Sequence, residues 1–488
     1  MIYGACLIVL LILCVGMIPI DLFLFAVPLW LGLIVVAGTA AVLVLYLKKS
    51  PAKTWRRVVS GILSVLLIAA TLFCSLYNPY WNSYLFRSPG HTRDYDTVLS
   101  FNNAKEDINY VMRYLKKDHP IYLDGTPTEI TEACRLVIDT LSADEEITVA
   151  ELYGSVQRIL SVLGDAHTTA YEAFDNPHYL KYIWEMRDAG FKLAGVNGQT
   201  LEEIFFAKSE IFCYEAESWA INCLEELLTT WEGLALLGLD IDNEMSYTYQ
   251  KPDGTVESNI YTKADFVTYD AYMDYYDADS GQDNEKAPFV YYEINTDKSL
   301  VLLTLTACRY NNEYRDCLKE MFQEIKELGI KNLAVDLREN GGGSSYVANE
   351  FIKYLRCDSY RIDTTLWRFG FFEFGSGSGI MQNEKYDALT FDGDLFVLTS
   401  THSFSSAMMF AEYIGDNNLG TLIGEAPGNA PSGYGDVAVF QLPNSGLIFQ
   451  VSTKKFYRAD TQTSEKLVVP DVACDSAAAV NRLYELIG

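Results

Sequence analysis

The chain has 488 residues, of which 49% are hydrophobic and 21% are charged, and its formal net charge at pH 7 is −28. This length leaves room for a membrane region and two or three domains that each bury a core. The first 80 residues carry five basic residues and one acidic residue, which leaves a net charge of −32 on the remainder. Because nucleic acid is itself negatively charged, the acidic region after residue 80 argues against nucleic acid as a partner.

Three apolar stretches occupy the first 80 residues, at about 2–20, 22–46 and 58–77. Each approaches the roughly 20 residues that a helix needs to cross a bilayer, so we predict three transmembrane helices in residues 1–80. A signal peptide is the alternative for the first stretch. However, no Lys or Arg precedes that stretch and no clean small-x-small cleavage site follows it.

The basic residues near the membrane indicate the orientation of the chain. The link between the second and third stretches holds Lys48, Lys49, Lys53, Arg56 and Arg57, whereas the link between the first two holds only Asp21. Because basic loops stay in the cytoplasm, three spans place everything after about residue 80 outside the cell membrane. We therefore predict a multi-pass protein of the cell membrane, whose amino-terminal helices contact the bilayer. Residues 81–100 are expected to form a polar tether.

Residues 101–179 are predicted to form a small helical lobe. Apolar residues recur with a helical period through much of 103–163, and the first helix should end near His119 and Pro120. The last helix runs into the compact turn Gly164-Asp165-Ala166-His167-Thr168, where glycine suits a helix carboxyl terminus.

Residues 180–290 predict an α+β insertion. They mix a short alternating run at 191–196, turns at 197–198 and 252–254, and helical runs at 201–207 and 218–228. The stretch 269–277 has four tyrosines and three acidic residues. We expect it to be a surface loop, with a mobile lid as the alternative.

Residues 291–488 show a regular alternation of short apolar strands and helices. Strands are predicted at 300–305, 332–337 and 395–399, and helices at 315–328, 347–355 and 406–414. This order indicates βαβ units on a mainly parallel sheet, so the fold class is α/β. Two later runs, 437–442 and 447–453, flank a Pro-Asn-Ser-Gly turn and predict a hairpin.

A hydroxyl-rich corner joins the predicted strand at 395–399 to the helix that follows it. Its sequence is Thr401-His402-Ser403-Phe404-Ser405-Ser406-Ala407. A serine at such a turn is exposed, and the first free amides of the helix point toward negative charge developing beside it. The corner is therefore a candidate site for a serine nucleophile.

A glycine-rich loop, Asp336-Leu337-Arg338-Glu339-Asn340-Gly341-Gly342-Gly343, follows the strand at 332–337. Consecutive glycines let backbone amides approach a ligand closely, so the loop could supply oxyanion donors. Phosphate binding is the rival interpretation, but the loop has neither the P-loop lysine nor GxGxxG spacing. A structural glycine turn is a further alternative.

Histidine is the natural base for a serine near neutral pH, and the chain has five: His91, His119, His167, His178 and His402. His167 is the best placed, while His402, three residues before Ser405, could line the site.

The chain has ten cysteines, none of them in a CxxC pair. We expect most of them to be buried thiols, with at most one or two disulfides. No His/Cys cluster has metal-ligand spacing, so we expect no metal and no cofactor.

Together these motifs resemble peptidase family S41, the carboxy-terminal-processing or tail-specific serine proteases. The resemblance rests on the DLRxNxGG-like loop at 336–343, on Ser403-Phe404-Ser405-Ser406, similar to the family's S-x-S-[AS] segment, and on the closing Val469-Pro470-Asp471. It covers about residues 100–475. It implies a ClpP/crotonase-like catalytic core and a membrane-anchored endopeptidase that cleaves extended protein or peptide substrates.

The resemblance also implies roles for individual residues. Ser405 is the nucleophile, and the amides of Gly342 and Ser406, beside Gly343, are the oxyanion donors. Members with a Ser-Lys pair carry a lysine after a Gly-Glu strand end, but the matching stretch 424–432 contains none. Tricorn-like members instead use an amino-terminal histidine, and His167 matches its position.

Two points stay open in this comparison. The carboxylate that supports His167 is Glu465, the acid nearest the closing Pro-Asp turn, with Asp165 as the alternative. Residues 180–290 could be a degenerate PDZ-like domain, although they show no recognisable carboxylate-binding loop. The alternative function is a catalytically inactive S41-like ectodomain that binds peptides or acts as a sensor.

Overall fold

The computed structural model of the protein describes residues 2–24, 27–142, 146–171, 174–239, 244–280, 288–376 and 379–488. Three amino-terminal helices pack against one another: α1 (Ile2–Pro19), α2 (Leu29–Lys49) and α3 (Thr54–Tyr77). A π-helical turn, Ile20–Leu24, extends α1. All three helices are long and apolar enough to span a membrane.

The end of α1 is tied to the end of α3 by a buried polar cluster. Asp21 accepts hydrogen bonds from Ser75 Oγ at 3.0 Å and from Asn78 Nδ2 at 3.1 Å. A buried carboxylate without such donors would be costly, so this cluster fixes the ends of two helices against each other. The same ends face the rest of the protein, whereas Lys48, Lys49 and Lys53 lie at the opposite ends.

A helical lobe follows, with short strands at its borders. Its elements are β1 (Val98–Leu99), α4 (Phe101–Asp118), α5 (Thr128–Leu141), β2 (Ile147–Thr148), α6 (Val149–Ser161), β3 (Ala170–Tyr171) and β4 (His178–Leu180). Thr148 caps α6 with a full capping box, and Ser100 caps α4. The helix α4 ends at His119, as the His-Pro pair predicts.

Residues 81–100, expected to be a tether, run along the carboxyl-terminal half of the chain. Tyr84 N donates to Val439 O at 3.0 Å, and Arg93 Nε donates to Asn444 O at 2.6 Å. The lobe is anchored there too, because Asp107 of α4 accepts hydrogen bonds from Asn444 and Ser445. The lobe and this half of the chain therefore share one packed surface.

The region between the lobe and the carboxyl-terminal half contains helices and a four-stranded sheet. Its elements are α7 (Ile183–Asp188), β5 (Lys192–Val196), β6 (Gln199–Thr200), α8 (Leu201–Lys208), α9 (Glu217–Leu227), α10 (Trp231–Leu236), β7 (Met245–Gln250), β8 (Val256–Tyr261), β9 (Phe266–Thr268) and α11 (Tyr269–Ser280). The sheet order is β6-β5-β7-β8. The surface loop expected at 269–277 is instead the helix α11, and Tyr272 stacks on Tyr179 with 5.1 Å between ring centroids.

The described part of the carboxyl-terminal half has two large sheets and a two-stranded sheet of Ser359–Arg361 and Ile380–Gln382. Its elements are β10 (Val290–Asn295), β11 (Leu300–Leu305), α12 (Asn312–Leu328), β12 (Asn332–Asp336), α13 (Tyr346–Ile352), β13 (Ser359–Arg361), β14 (Thr364–Phe369), β15 (Phe372–Ser376), β16 (Ile380–Gln382), β17 (Asp394–Thr399), α14 (Ser406–Asp416), β18 (Thr421–Gly424), β19 (Gly433–Gln441), β20 (Ile448–Tyr457), β21 (Val472–Ala473) and α15 (Ala479–Ile487).

The first sheet has the order β10-β11-β12-β17-β18-β21, and every pair from β11 to β21 is parallel. Strands β12 and β17 are neighbours, with Asp336 opposite Leu398. Their carboxyl ends therefore meet at one edge, where the glycine-rich loop and the hydroxyl-rich corner begin. The second sheet, β15-β14-β20-β19, also pairs β20 with β3 of the helical lobe.

Candidate active site

Ser405 lies at a strained turn between β17 and α14. Its φ of 56° and ψ of −119° are unusual for a residue with a side chain and cost on the order of 1–3 kcal/mol. Two hydrogen bonds hold the turn: Ser405 N donates to Asn429 Oδ1 at 2.6 Å, and Phe404 N donates to Asn340 O at 3.0 Å. This geometry exposes the Ser405 hydroxyl beside the start of a helix.

The glycine-rich loop packs directly against this turn. Gly342 has a φ of +100°, and a Cβ at this position would lie 2.7 Å from both Phe404 O and Ser405 Cβ. Only glycine fits so close an approach. The buried Asn340 organises the loop, since its Nδ2 donates to Leu305 O at 2.8 Å and its Oδ1 accepts from Gly342 N at 2.9 Å.

The amide of Gly342 is thus already engaged inside the loop. Gly343 faces Ser406, because Ser406 Oγ donates to Gly343 O at 2.9 Å. As the first residue of α14, Ser406 has an amide without a partner in the helix. Gly343 and Ser406 both line the cavity that contains Ser405.

His167 stands beside the nucleophile turn. Its buried ring packs against the Phe404 ring with 4.6 Å between centroids, and Trp219 of α9 stacks on Phe404 at 4.2 Å. Neither His167 Nδ1 nor His167 Nε2 hydrogen-bonds to any residue that the structure describes. The ring is thus positioned by aromatic packing, and both of its nitrogens are buried without a hydrogen bond to a described residue.

A fully buried carboxylate, Asp165, supports this histidine. Asp165 Oδ1 accepts from His167 N at 2.8 Å and lies 4.0 Å from His167 Nδ1. Asp165 Oδ2 accepts from Ser452 Oγ at 2.7 Å and pairs with His119 Nε2 at 3.2 Å. Burial opposes its ionisation, but the hydrogen bond and charge of His119 outweigh burial and lower the pKa of Asp165 to about 2.

Burial affects the two other ionisable groups of the site in opposite directions. It lowers the pKa of His167 below its usual 6.5, although the charges of Asp165 and Asp436 oppose the shift. It raises the pKa of Glu215 to about 8, and the charge of Asp165 adds to this shift. His167 is therefore neutral at pH 7, as a general base must be, while Glu215 is largely protonated.

Asp165, His167 and Glu215 form the one cluster of potential metal ligands found among the described residues. One ligand atom from each lies within 4.8 Å of the others. Imidazole and carboxylate are donors that divalent metal ions accept, so these three residues are where a cation would bind. The expectation that the protein needs no metal stays a prediction.

Two cavities meet at Ser405 and His167. One, of about 450 Å³, is also lined by Gly343, Ser406 and Asn429. The other, of about 670 Å³, is also lined by Trp219, Gly341 and Gln450. Gly343 lines both cavities as well, and we refer to the two cavities together as the groove.

The other predicted residues lie elsewhere. The Glu465 side chain is exposed, and its backbone carbonyl accepts a hydrogen bond from Arg458. His402 is exposed and lines a separate cavity together with Glu425. The segment 424–432, where a lysine was sought, supplies Asn429 to the site instead. All ten cysteines are free thiols.

Several residues of the site carried no sequence signal. Asn429, Glu215, Trp219 and Ser452 reach the site from segments far apart in the chain. Asp165 differs from these residues, because it lies two residues before His167 in the same turn and the sequence already offered it as the alternative carboxylate.

Comparison with known proteins identifies a peptidase family and structures with a similar fold. The family model described as Peptidase family S41 matches residues 300–474. No curated protein matches the chain. Among solved structures, mature CPAF superposes with a TM-score of 0.56 at 12% sequence identity, covering 79% of this chain and 96% of that one.

Two further solved structures match the chain at similarly low sequence identity. CPAF complexed with lactacystin gives a TM-score of 0.55 at 11% identity and covers 79% of this chain and 98% of that one. The photosystem II D1 C-terminal processing protease gives 0.42 at 13% identity, covering 78% and 96%. At such identities, the likeness to CPAF shows a shared fold and nothing further.

Proposed function

We propose that the chain, whose residues 300–474 belong to peptidase family S41, is a membrane-anchored serine endopeptidase that acts outside the cytoplasm. The observation that carries the proposal is the joint placement of Ser405 and His167. Both line the same two cavities, and the Phe404 ring packs against His167 from the residue before the nucleophile. The other two serines of the corner already donate their hydroxyl hydrogens within the protein: Ser403 Oγ donates to Leu337 O, and Ser406 Oγ donates to Gly343 O.

In the proposed mechanism, His167 takes the proton of Ser405 as Ser405 Oγ attacks the carbonyl carbon of a peptide bond. The amides of Gly343 and Ser406 stabilise the oxyanion, and His167 then passes its proton to the leaving amine. Water, activated by the same histidine, hydrolyses the acyl-enzyme and restores Ser405. Losing one oxyanion donor costs about 10² to 10³ in turnover.

Asp165 rather than Glu465 fits the role of the supporting carboxylate. It holds the backbone of His167 and lies 4.0 Å from Nδ1, whereas the Glu465 side chain is exposed. A fixed negative charge beside the ring stabilises the imidazolium that forms during attack. His119 and Ser452 hold this carboxylate in place from its other oxygen.

The placement outside the cytoplasm rests on charge. Lys48, Lys49, Lys53, Arg56 and Arg57 lie at the ends of α2 and α3 that are remote from the catalytic half. Basic residues mark the cytoplasmic side of membrane helices, so the catalytic half lies on the other side. The net charge of −32 beyond residue 80 agrees with a region exposed to water.

One observation favours a binding module as the second candidate. The ring nitrogens of His167 make no hydrogen bond with a described residue, so the base is not joined to Ser405 in this state. A protein that only binds peptides could keep the groove and lack the joined pair. Proteolysis separates the two functions.

The test uses the full chain in proteoliposomes with reduced, alkylated casein as an unfolded substrate. We expect cleavage by the wild type and none by Ser405→Ala or His167→Gln. Peptide binding without cleavage would contradict the peptidase proposal and support the binding module. Arg135→Gln, which removes an exposed ion pair with Asp139 on α5, is a control that should keep wild-type activity.

A further inference from the structure

The membrane helices form part of the active-site wall. The cavity of about 450 Å³ that contains Ser405 and His167 is also lined by Leu22 and Phe23, from the π-helical turn that ends α1. This turn belongs to the candidate membrane span Ile2–Leu24. The groove at the nucleophile therefore reaches the rim of the helical bundle.

An aromatic hairpin extends this contact to α3. Strands β14 and β15 are joined at Gly370 and Phe371, and the Phe371 ring lies 5.3 Å from Phe73 and 6.3 Å from Tyr77. Gly370 has a φ of +64°, and a Cβ there would lie 2.9 Å from the Phe73 ring. The tip of the hairpin thus packs on the outer end of a membrane helix.

The same hairpin lines the active-site cavity. Trp367 of β14 is a wall residue of that cavity, and its ring centroid lies 6.4 Å from that of Phe23. One continuous aromatic surface therefore runs from α3, across the hairpin, to the cavity that holds Ser405.

This surface is apolar on its outer side. Phe371 is 66% exposed, and Phe372, Phe23 and Leu24 are also exposed. Tyr and Trp side chains concentrate at the level of the lipid head groups, and Tyr77, 37% exposed near the end of α3, lies beside Phe371 in this surface. Their position at the end of three membrane helices places the hairpin, and the cavity mouth beside it, at the bilayer surface.

We infer that the groove takes its substrate from the membrane: it accepts the extended juxtamembrane segment of a membrane-anchored polypeptide and cleaves it close to the bilayer. This inference rests on the proposed peptidase activity and adds the class of substrate. An extended chain covers about 3.3 Å per residue, so a mouth at the bilayer surface can be reached within about ten residues of a membrane span. A soluble chain has no such guidance and enters by diffusion alone.

The test compares free and anchored versions of one substrate. The full-length protein is placed in proteoliposomes with polypeptides of roughly 40 randomised residues. A fully extended polypeptide of this length spans over about 100 Å. The polypeptides are supplied free or joined to a transmembrane helix of about 20 leucines and alanines. Mass spectrometry of the products measures the rate and the distance of each cleavage site from the helix.

We expect the anchored pool to be cleaved at least about 10-fold faster, with sites concentrated within about ten residues of the helix. Phe371→Asp should lower cleavage of the anchored pool about 10-fold relative to cleavage of the free pool, because a charge at the bilayer surface is costly and moves the tip of the hairpin away from the lipid. Phe206→Asp is the matched control, since Phe206 is also 66% exposed but lies on α8. It should change neither rate.

The outcomes separate this inference from the peptidase proposal. Cleavage of both pools at one rate, or anchored sites that begin beyond about 20 residues from the helix, would overturn the membrane-facing groove while leaving the peptidase intact. Faster cleavage of free substrate by Phe23→Ala would also overturn it, by showing that the turn is a plug. Cleavage of neither pool in a Ser405-dependent manner would instead refute the peptidase itself.

Discussion

Replacing Asp165 by Asn tests how the base is supported. Asp165 accepts hydrogen bonds from His167 N and Ser452 Oγ and pairs with His119 Nε2, so an amide can satisfy only part of this set. The substitution also removes the negative charge 4.0 Å from His167 Nδ1. We expect the second-order rate of Ser405 labelling by a fluorophosphonate to fall by about 10² to 10⁴, or roughly 3 to 5 kcal/mol of activation free energy.

This assay needs no knowledge of the substrate, since the reagent reports the nucleophilicity of the serine. The charge of Asp165 raises the pKa of His167, so its removal should also move the acid limb of the labelling rate to lower pH. Asp118→Asn is the matched control. Asp118 is buried in the same lobe, but its ion-pair partner is Lys117 at 3.7 Å.

We expect Asp118→Asn to keep the wild-type rate and pH profile. Burial raises the pKa of Asp118 to about 7, so a neutral amide replaces a group that is already partly protonated at neutral pH. If Asp165→Asn labels at the wild-type rate with an unchanged pH profile, Asp165 does not support the base. Equal losses in both variants would show a general effect of disturbing the lobe.

Further predictions concern the loop, the pH dependence and the stability. Gly342→Ala should reduce labelling by at least about 100-fold, because the new Cβ would collide with Phe404 O and Ser405 Cβ, whereas Gly341→Ala, with no heavy atom within 4 Å, should label within about three-fold of wild type. Since burial lowers the pKa of His167, the labelling rate should reach half its maximum below pH 6.5, and a midpoint above 6.5 would contradict the assigned base. Asn429→Ala should lower the labelling rate about 10-fold by freeing the Ser405 amide, with an unchanged rate counting against this support. Because burial raises the pKa of Glu215 to about 8, its contribution to stability is full below about pH 4.5 and is lost as the pH rises through 8, so Glu215→Gln should remove much of the fall in Tm between pH 5 and 8.5.

Local patterns in the sequence were sufficient for most of the described helices but for only a minority of the described strands. The runs at 300–305 and 395–399 correspond to β11 and β17, and the helical period in 103–163 corresponds to α4, α5 and α6. These elements bury one face against a neighbour, and burial imposes the period that the sequence displays. The resemblance of the motifs to family S41 additionally predicted that the glycine-rich loop lies beside Ser405.

Long-range contacts explain what the sequence left open. The stretch at 269–277 has no clear apolar period and was expected to be a loop, but Tyr179 gives Tyr272 a stacking partner and α11 forms there. The hairpin of β14 and β15 was not predicted, since its aromatic residues pack against membrane helices nearly 300 residues earlier. Nothing near position 371 in the sequence shows that partner.

The supporting carboxylate shows the same limit within the site. Order along the chain pointed to Glu465, near the closing Pro-Asp turn, while the structure has Asp165 in contact with His167 and the Glu465 side chain exposed. The choice depends on where Ser452 of β20 and His119, the residue after α4, converge. Spacing in the sequence does not contain that information.

The central claim is that Ser405 is a nucleophile activated by His167. It is tested most directly by treating the full-length protein with a fluorophosphonate and mapping the modified residue by mass spectrometry. We expect a single label on Ser405, and His167→Gln should reduce its rate of formation by at least about 100-fold. Labelling of another serine, or undiminished labelling of Ser405 in His167→Gln, would contradict it.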